Sequence, residues 1–396
     1  MTSVEWPERK LGDVLTLKRG YDLPLQDRTP GDFPIVSSSG VTGLHAVPKV
    51  KGPGVVTGRY GTLGEVFYIR EDFWPLNTSL YVQDFKGNDP RFVAYFLGYL
   101  DLGSRNTAGA VPGVNRNHLH AMVVHVPCVP EQRRIGALLA AYDDLIDNNL
   151  RRVRILEEVA RALFVEWFVA LRGPGLARPE DPQVLSDTWT TARLRECVEV
   201  NPKVVVPRDG EKPFVSMGVL SNDLMSIGEI EQRAGNSGSK FQNGDTLFAR
   251  ITPCLENGKT GFVQFLPDAR SFAFGSTEFI VLRSKTLTPE FVYLLSRTAE
   301  FRGTAIKSMS GASGRQRVQE RCFDGMTVVQ PPAEILARFT ELVRPMFRLI
   351  HQLHLTNLNL RATRDLLLPR LLSGQLSLAE IDGKPVREAE SAVITS

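Results

Sequence analysis

Two short turns with similar surroundings each place an arginine where it could contact a ligand. GRYGT contains Arg59 and Tyr60, and ARITP contains Arg250 and Thr252. Arginine pairs bidentately with guanine or clamps a phosphate, and the two glycines of GRYGT let the backbone approach closely. The two turns therefore predict nucleic-acid contacts. The alternative is an arginine that caps a strand end through an internal carboxylate.

Two later segments carry the amide and guanidinium side chains that read or position DNA. The candidates are Arg315, Gln316 and Arg317 of GASGRQR and, in the segment that we align with it, Asn115, Arg116 and Asn117. Lys259 follows a glycine and is a further candidate for a phosphate contact. A solvated loop is the alternative for both segments, and Lys49 and Lys51 are expected to be ordinary surface residues.

The residues that usually carry catalysis do not form a convincing pattern. No GxxxxGK[ST] phosphate loop occurs, and Asn201-Pro202-Lys203 lacks the second proline, the aromatic residue and the preceding glycine-rich loop of an amino-methyltransferase. The histidines at 118, 120, 125, 351 and 354 have no carboxylate or cysteine at a metal-ligand spacing, so we expect no metal. We therefore expect a binding protein without a catalytic site or a bound cofactor.

Length and composition indicate an ordinary globular protein of several domains. The chain has 396 residues, 42% hydrophobic and 23% charged, with a net charge of +3 that permits nucleic acid as a partner without requiring it. The four cysteines are far apart without a CxxC pair, which favours reduced thiols in the cytoplasm. We find no membrane-spanning apolar run and no signal-peptide pattern.

Two long amphipathic stretches must position the candidate residues. Each has apolar residues at heptad spacing with one asparagine, and aligning Ile135 with Phe339 brings the two series into register. Such a stripe predicts helices of roughly 60 Å that pair along one seam. The alternative is two unrelated amphipathic helices over separate cores. The predicted seam residues are Ile135, Leu139, Tyr142, Ile146, Asn149, Val153, Leu156 and Leu163 in the first helix, and Phe339, Val343, Met346, Ile350, Leu353, Asn357, Leu360 and Leu367 in the second.

The chain is an internal duplication. Matched blocks include PIVSSSG with PFVSMGV, LNTSLYV with GSTEFIV and PRFVAYF with PEFVYLL, each pair in the same order before a matched helix. The boundaries that we predict are a first globular domain at 1–128, a helix at 129–170, a linker at 171–188, a second globular domain at 189–330, a helix at 331–376 and a tail at 377–396.

The predicted fold class is α+β, with two similar globular domains and two long helices that form an antiparallel coiled coil. The linker is too short for parallel pairing, and antiparallel pairing of equivalent helices creates an approximate two-fold axis. Two similar reading domains held by a spacer suit a ligand with two half-sites, of which duplex DNA is the obvious example. Phe164 and Phe168, beside the seam, suggest a docking site for another subunit.

The chain resembles the specificity subunit of type I restriction-modification systems. The resemblance covers nearly the whole chain, and its most specific strings are LFARITPCLENGKTGFV, GSTEFIVLR, PGVNRNHL, the PEQRRI junction and LLLPRLLSGQL. It implies a non-catalytic DNA-binding subunit with two target-recognition domains, each reading one part of a split target. Two modification subunits, which carry S-adenosylmethionine and methylate adenine, would dock on the helices. Restriction subunits, when added, would cleave DNA at the expense of ATP with Mg²⁺.

Two other classes of function are consistent with the same pattern. A non-enzymatic scaffold could bind proteins through its globular domains and use the coil as a spacer. An enzyme with an unrecognised site is the third possibility. DNA binding that weakens steeply with salt separates the first class from the scaffold, and the target bases do not follow from the sequence.

Overall fold

The computed structural model describes residues 6–105, 113–173, 189–312 and 314–378. Contacts divide the chain into unit 1, which is Met1–Ile146 with Asn359–Ser396, and unit 2, which is Asp147–Leu358. Most of the predicted linker at 171–188 and of the predicted tail at 377–396 lies outside the described residues.

The globular part of unit 1 combines short strands with three short helices. In chain order its elements are β1 (Glu8–Lys10), α1 (Leu11–Val14), β2 (Thr16–Arg19), β3 (Phe33–Ser37), β4 (Gly40–His45), β5 (Gly54–Gly58), β6 (Val66–Ile69), β7 (Trp74–Pro75), β8 (Ser79–Asp84), α2 (Pro90–Tyr99), α3 (Arg116–His120) and β9 (Val123–His125). Single 3-10 turns lie at Leu25–Asp27 and Leu102–Arg105. The long helix α4 (Val129–Phe164) follows, and a π-helical turn at Val165–Val169 extends it.

The strands of unit 1 form one four-stranded sheet, one three-stranded sheet and a separate pair. The strand orders are β2-β8-β5-β6, β4-β3-β7 and β1-β9. Helix α2 covers the four-stranded sheet, and its first turn is fixed by Pro90 and by the Asp89 side chain, which accepts from the Phe92 amide at 2.9 Å. Phe92 and Phe96 are buried and stack with their ring centroids 5.5 Å apart.

Unit 2 repeats this order of elements. Its elements are β10 (Thr190–Arg193), α5 (Leu194–Cys197), β11 (Val198–Val200), β12 (Glu211–Val215), β13 (Glu231–Ala234), β14 (Ser239–Phe241), β15 (Thr246–Ala249), β16 (Thr260–Phe262), β17 (Ala273–Gly275), β18 (Phe279–Ser284), α6 (Pro289–Ser296), α7 (Ala299–Lys307), β19 (Thr327–Gln330) and α8 (Ala333–Leu372). The 3-10 turns lie at Met217–Val219 and Glu320–Phe323, and the last part of α8 belongs to unit 1.

The sheets of unit 2 have the strand orders β11-β18-β15-β16, β13-β12-β17-β14 and β10-β19. Each reproduces a sheet of unit 1 strand for strand, with β14 added at one edge and α7 added after the covering helix. The duplication that the sequence predicts is therefore present in the topology, and the predicted α+β class is confirmed.

The two long helices pair with opposite directions within each unit. In unit 2, the Asn149 side-chain amide donates to Asn357 Oδ1 at 2.9 Å, and the Trp167 and Phe339 ring centroids lie 5.7 Å apart. Residue numbers rise along α4 while those of its partners fall along α8, so the pairing is antiparallel, as predicted. In unit 1, Asp143 of α4 pairs with Arg364 of α8.

The heptad stripe is the packed face of both helices. Ile135 and Leu139 are buried in the core of unit 1 with Leu371, and Val153 and Val343 are buried in the core of unit 2. None of the predicted seam residues is exposed: Ile146, Asn149, Phe339, Ile350, Leu353 and Asn357 are also buried, and Tyr142, Leu156, Leu163, Met346, Leu360 and Leu367 are half-buried.

Phe164 and Phe168 do not form the docking site that the sequence suggested. They are 2% and 5% exposed, and each lies 4.8 Å from the Phe291 ring of α6, centroid to centroid. The suggestion was wrong because the end of α4 packs against the globular part of unit 2, which covers both rings. Glu157 of the same helix is likewise buried and accepts from the Met225 amide.

Candidate nucleic-acid interface

Three chain segments meet at one end of the four-stranded sheet of unit 1. Strands β2 and β5 end there and β8 begins there, since Arg19 pairs with Leu80 and Gly58 pairs with Ser79. A side chain cannot be added at Gly58, because its Cβ would lie 1.8 Å from the Thr62 carbonyl oxygen. We call this region the unit 1 sheet end.

The predicted turn with Arg59 and Tyr60 lies at this sheet end. Both residues donate their backbone N–H to the Thr78 carbonyl, at 2.9 and 3.1 Å, and the Arg59 carbonyl accepts from the Val114 N–H at 3.0 Å. Tyr60 also pairs with Gly113, so the turn after β5 and the segment before α3 are held together. The two segments that sequence analysis chose separately therefore form one surface.

The side chains of this surface are accessible. The Arg59 guanidinium lies 4.5 Å from the centre of the Tyr60 ring, and Tyr60 is 41% exposed. Arg116 and Asn117 are exposed on the first turn of α3. Asn115 has a structural role as well, because its side chain caps α3 by accepting from the Asn117 amide at 2.9 Å.

Unit 2 builds the same arrangement from the equivalent strands. The Arg250 N–H donates to the Glu278 carbonyl at 3.0 Å, and the Arg250 carbonyl accepts from the Val318 N–H at 2.8 Å. Ile251 pairs with Arg317 as Tyr60 pairs with Gly113. We call this region, where β11 and β15 end and β18 begins, the unit 2 sheet end.

These hydrogen bonds correct the alignment of the two recognition segments. Val318 occupies the place of Val114, so Arg317 is equivalent to Gly113 and Glu320 to Arg116. The sequence alignment had matched GASGRQRVQ with GAVPGVNRN, which places Arg317 opposite Asn115, two residues further along unit 1. It was wrong because it matched the Gly-Ala pair that the two segments share, whereas the backbone hydrogen bonds match Val318 with Val114.

The two arginines of the unit 2 sheet end are held by carboxylates. Arg317 makes a bidentate pair with Glu278, with N–O distances from 2.7 to 3.0 Å, and Arg250 Nη1 lies 3.2 Å from Glu320 Oε1. Glu278 raises the pKa of Arg317 above its ordinary value. For Arg250 the internal carboxylate that sequence analysis left as an alternative is present, and contact of either arginine with DNA stays a prediction.

The remaining unit 2 candidates differ in how freely they could contact a ligand. Arg315 is exposed, and Gln316 is half-buried with its backbone bonded to Thr252, whose Oγ1 accepts from the Gln316 N–H at 3.0 Å. Lys259 donates to the Met217 carbonyl at 2.9 Å. Thr252 and Lys259 therefore have internal partners, while Arg315 projects from the loop.

A cavity of about 360 Å³ opens beside Arg250 at the unit 2 sheet end. Lys203 and Lys240 line it with Arg250, and neither lysine was a candidate from the sequence. Their contribution was hidden because Lys203 lies after β11 and Lys240 in β14, far apart in the chain. Asn201, weighed earlier for methyl transfer, instead accepts from the Val281 amide at 2.9 Å.

Unit 1 has a second cluster that sequence analysis missed. Tyr21 lies just beyond the end of β2, and the amino groups of Lys18 and Lys49 lie 5.6 and 5.3 Å from the centre of its ring. Lys49 also lies 5.6 Å from the ring of Trp74, although the sequence marked it as an ordinary surface residue. The pKa of Tyr21 is lowered, chiefly by the hydrogen bond with Tyr81.

Within the described ranges, no group of three or more His, Cys, Asp or Glu side chains is placed to hold a metal ion. In that same part of the chain, no helix has the length and apolarity needed to cross a membrane.

A family of known proteins matches the part of the chain that carries the unit 1 sheet end. The family described as type I restriction modification DNA specificity domain matches residues 3–159, which include the first globular domain and most of α4. The first part of the chain therefore matches that family's model, and the resemblance stated from the sequence motifs is confirmed.

Curated relatives and a solved structure agree with this class. The EcoAI specificity subunit of an Escherichia coli type I restriction enzyme is 29% identical over 181 residues, covering 43% of this chain and 30% of the relative. The MjaIX specificity subunit of Methanocaldococcus jannaschii is 22% identical over 294 residues, covering 68% and 64%. These matches thus span less than two thirds of either relative.

The crystal structure of the type I restriction-modification S subunit from M. genitalium matches with a TM-score of 0.63. The match covers 94% of this chain and 99% of that one at 14% sequence identity. The two chains therefore share a fold, and the likeness extends over both globular units and both long helices.

Proposed function

We propose that this chain is the non-catalytic DNA specificity subunit of a type I restriction-modification complex. Each unit would read one part of a split target through its sheet end. The observation that carries the proposal is the repeated pairing of two turns, Arg59 with Val114 and Arg250 with Val318, which presents cationic and amide side chains at equivalent sheet ends.

The chemistry of these residues fits duplex DNA. Exposed arginine and asparagine side chains match the hydrogen-bonding groups of guanine and adenine in the major groove, and lysine beside them suits phosphate. Arg59, Tyr60, Asn115, Arg116 and Asn117 would serve one half of the target. Arg250, Thr252, Lys259, Arg315, Gln316 and Arg317 would serve the other, with Lys203 and Lys240 added by the structure.

The partners follow from the same proposal. Two modification subunits would dock on the chain and bring S-adenosylmethionine for adenine methylation, and restriction subunits would add ATP- and Mg²⁺-dependent cleavage. The chain itself would hold no cofactor and would act in the cytoplasm. The specificity-domain match and the similarity to curated specificity subunits support the role of specificity subunit from which these expectations follow.

A selection experiment tests the proposal. The chain is co-expressed with the modification subunit, and the complex is used to select from a duplex library with two randomised blocks at varied separation. We expect enrichment of two short motifs at a fixed separation and binding that weakens steeply with salt. Enrichment without sequence preference, or the absence of DNA retention at low salt, would contradict the proposal.

Catalysis is tested separately with the same preparations. The purified chain alone should transfer no methyl group from S-adenosylmethionine to duplex DNA, and adding the modification subunit should produce methylated adenine. Methylation by the chain alone would show that it carries an active site.

A further inference from the structure

The two sheet ends differ in charge at equivalent positions. Arg59 and Arg250 are equivalent. Each donates its backbone N–H to the carbonyl of the residue before β8 or β18, and the carbonyl of each accepts from a valine N–H. The residue before that strand is Thr78 in unit 1 and Glu278 in unit 2. The other differences are Gly113 against Arg317 and Arg116 against Glu320.

The net charge of these positions is +2 in unit 1 and zero in unit 2. Unit 1 has two arginines, Arg59 and Arg116, and no acid, whereas unit 2 has two arginines balanced by two glutamates. Among the described residues no carboxylate pairs with Arg59, whose guanidinium instead lies against the Tyr60 ring. The unit 1 sheet end is therefore the more attractive one for a phosphate backbone at these positions.

The geometry of unit 2 restrains its arginines. Both Nε and Nη2 of Arg317 are taken by Glu278, whose side chain is only 21% exposed, so Nη1 is left to face solvent. Arg250 donates through Nη1 to Glu320 and lies 3.5 Å through Nη2 from the Val318 carbonyl. A guanidinium held in this way offers a donor in a fixed direction but little net charge.

We infer that Glu278 and Glu320 determine specificity in unit 2 by restraining Arg317 and Arg250 and by opposing their contact with phosphate. The inference rests on the proposed function. Phosphate attraction is independent of sequence, and a carboxylate beside an arginine opposes it. On a sequence whose base does not pair with the restrained arginine, that arginine cannot turn to a phosphate instead. The difference in affinity between the correct and the incorrect sequence is therefore larger.

Glu278→Gln and Glu320→Gln test the inference in the full chain co-expressed with the modification subunit. Binding is measured from 50 to 200 mM salt on the selected target and on a duplex with the unit 2 half-site scrambled. Each substitution should tighten binding to the scrambled duplex and reduce the discrimination between the two duplexes. Each arginine released to a phosphate should steepen the slope of log K against log salt by about 0.9, a further loss of affinity of roughly threefold over this range.

Glu231→Gln is the matched control. It makes the same charge change in the same unit and removes an exposed pair with Arg233, at 2.6 Å, on the sheet that does not carry the sheet end. It should leave both the slope and the discrimination close to those of the unsubstituted chain.

Two results would overturn the inference. In one, the Glu278 and Glu320 variants match the Glu231 control in slope and discrimination. In the other, a folded variant loses DNA binding, which would make the acids necessary contacts rather than restraints. Failure of the proposed function is distinguishable, since the unsubstituted complex would then show no sequence preference at all.

Discussion

At the scale of single residues, the sequence located the arginines but not their partners. GRYGT and ARITP could be recognised because each places an arginine beside a turn, marked by glycines in the first and by a proline in the second. Glu278 and Glu320 lie 28 and 70 positions from Arg250 and reach it only through strand pairing. The charge difference between the two sheet ends therefore could not be predicted from the sequence.

Arg317→Ala should affect one half of the target only. If Arg317 contacts a base, affinity for the matched target should fall by on the order of 1–3 kcal/mol, and preference should relax within one half-site. Arg233→Ala, which removes an arginine from a different sheet of the same unit, serves as the control. Competition binding with duplexes altered in either half measures the effect, and equal losses in both halves would refute the assignment of one unit to one half-site.

His120 links α3 to the four-stranded sheet through a bond that requires a neutral ring. Its Nε2 accepts from the Leu17 amide at 2.9 Å, and burial, followed by Arg116 and Lys86, lowers its pKa. A histidine whose pKa is lowered on folding contributes stability above its unfolded pKa of about 6.5, and that contribution is lost as pH falls below it. Acidification should thus loosen the helix that carries Arg116 and Asn117.

Urea denaturation at pH 7.5 and pH 5.5 measures this effect. Between pH 7.5 and pH 5.5, the free energy of unfolding should decrease more in the unsubstituted chain than in His120→Gln. The amide oxygen of the glutamine can still accept from the Leu17 N–H. The difference in slope cannot exceed about 1.4 kcal/mol per pH unit for one proton. Identical pH dependence in the two chains would show that His120 does not contribute.

At the scale of elements, the heptad pattern predicted the paired helices well. Ile135, Leu139, Val153 and Val343 are buried as expected, because a stripe at this spacing can be covered only by a partner along its length. The pattern did not predict that the end of α4 also packs against the globular part of unit 2. The ring of Phe164 packs against Phe291 of α6, a helix that begins at Pro289, 125 residues further along the chain.

The asparagine pair in the seam of unit 2 should show a non-additive effect. Asn149 and Asn357 are both 3% exposed and bonded to each other at 2.9 Å. Replacing either one by leucine removes the partner of a buried amide and should cost about 1–3 kcal/mol. The double leucine variant replaces both amides with apolar groups. It should recover most of that loss, because neither side chain then faces a buried amide that has lost its partner.

Urea denaturation of the two single variants and the double variant completes a double-mutant cycle. Additive losses would mean that the hydrogen bond between the two amides contributes nothing of its own. A double variant that is stable but changes its oligomeric state would instead assign the pair a role in specifying the partner helix.

At the scale of the whole molecule, the duplication was predictable and its details were not. Matched blocks of sequence predicted the repeated order of strands. The shared heptad register of α4 and α8 predicted that these two helices are equivalent. The strand β14, the helix α7 and the two-residue shift of the recognition segment were not predicted, because insertions between matched blocks leave no pattern of their own. The two sheet ends consequently proved similar in backbone and different in charge.

Mapping methylated adenines in the host genome tests the central claim most directly. The account predicts methylation within a target of two specified parts at a fixed separation, with Arg59→Ala relaxing one part and Arg317→Ala relaxing the other. A single uninterrupted target, or relaxation of the same part by both variants, would contradict it.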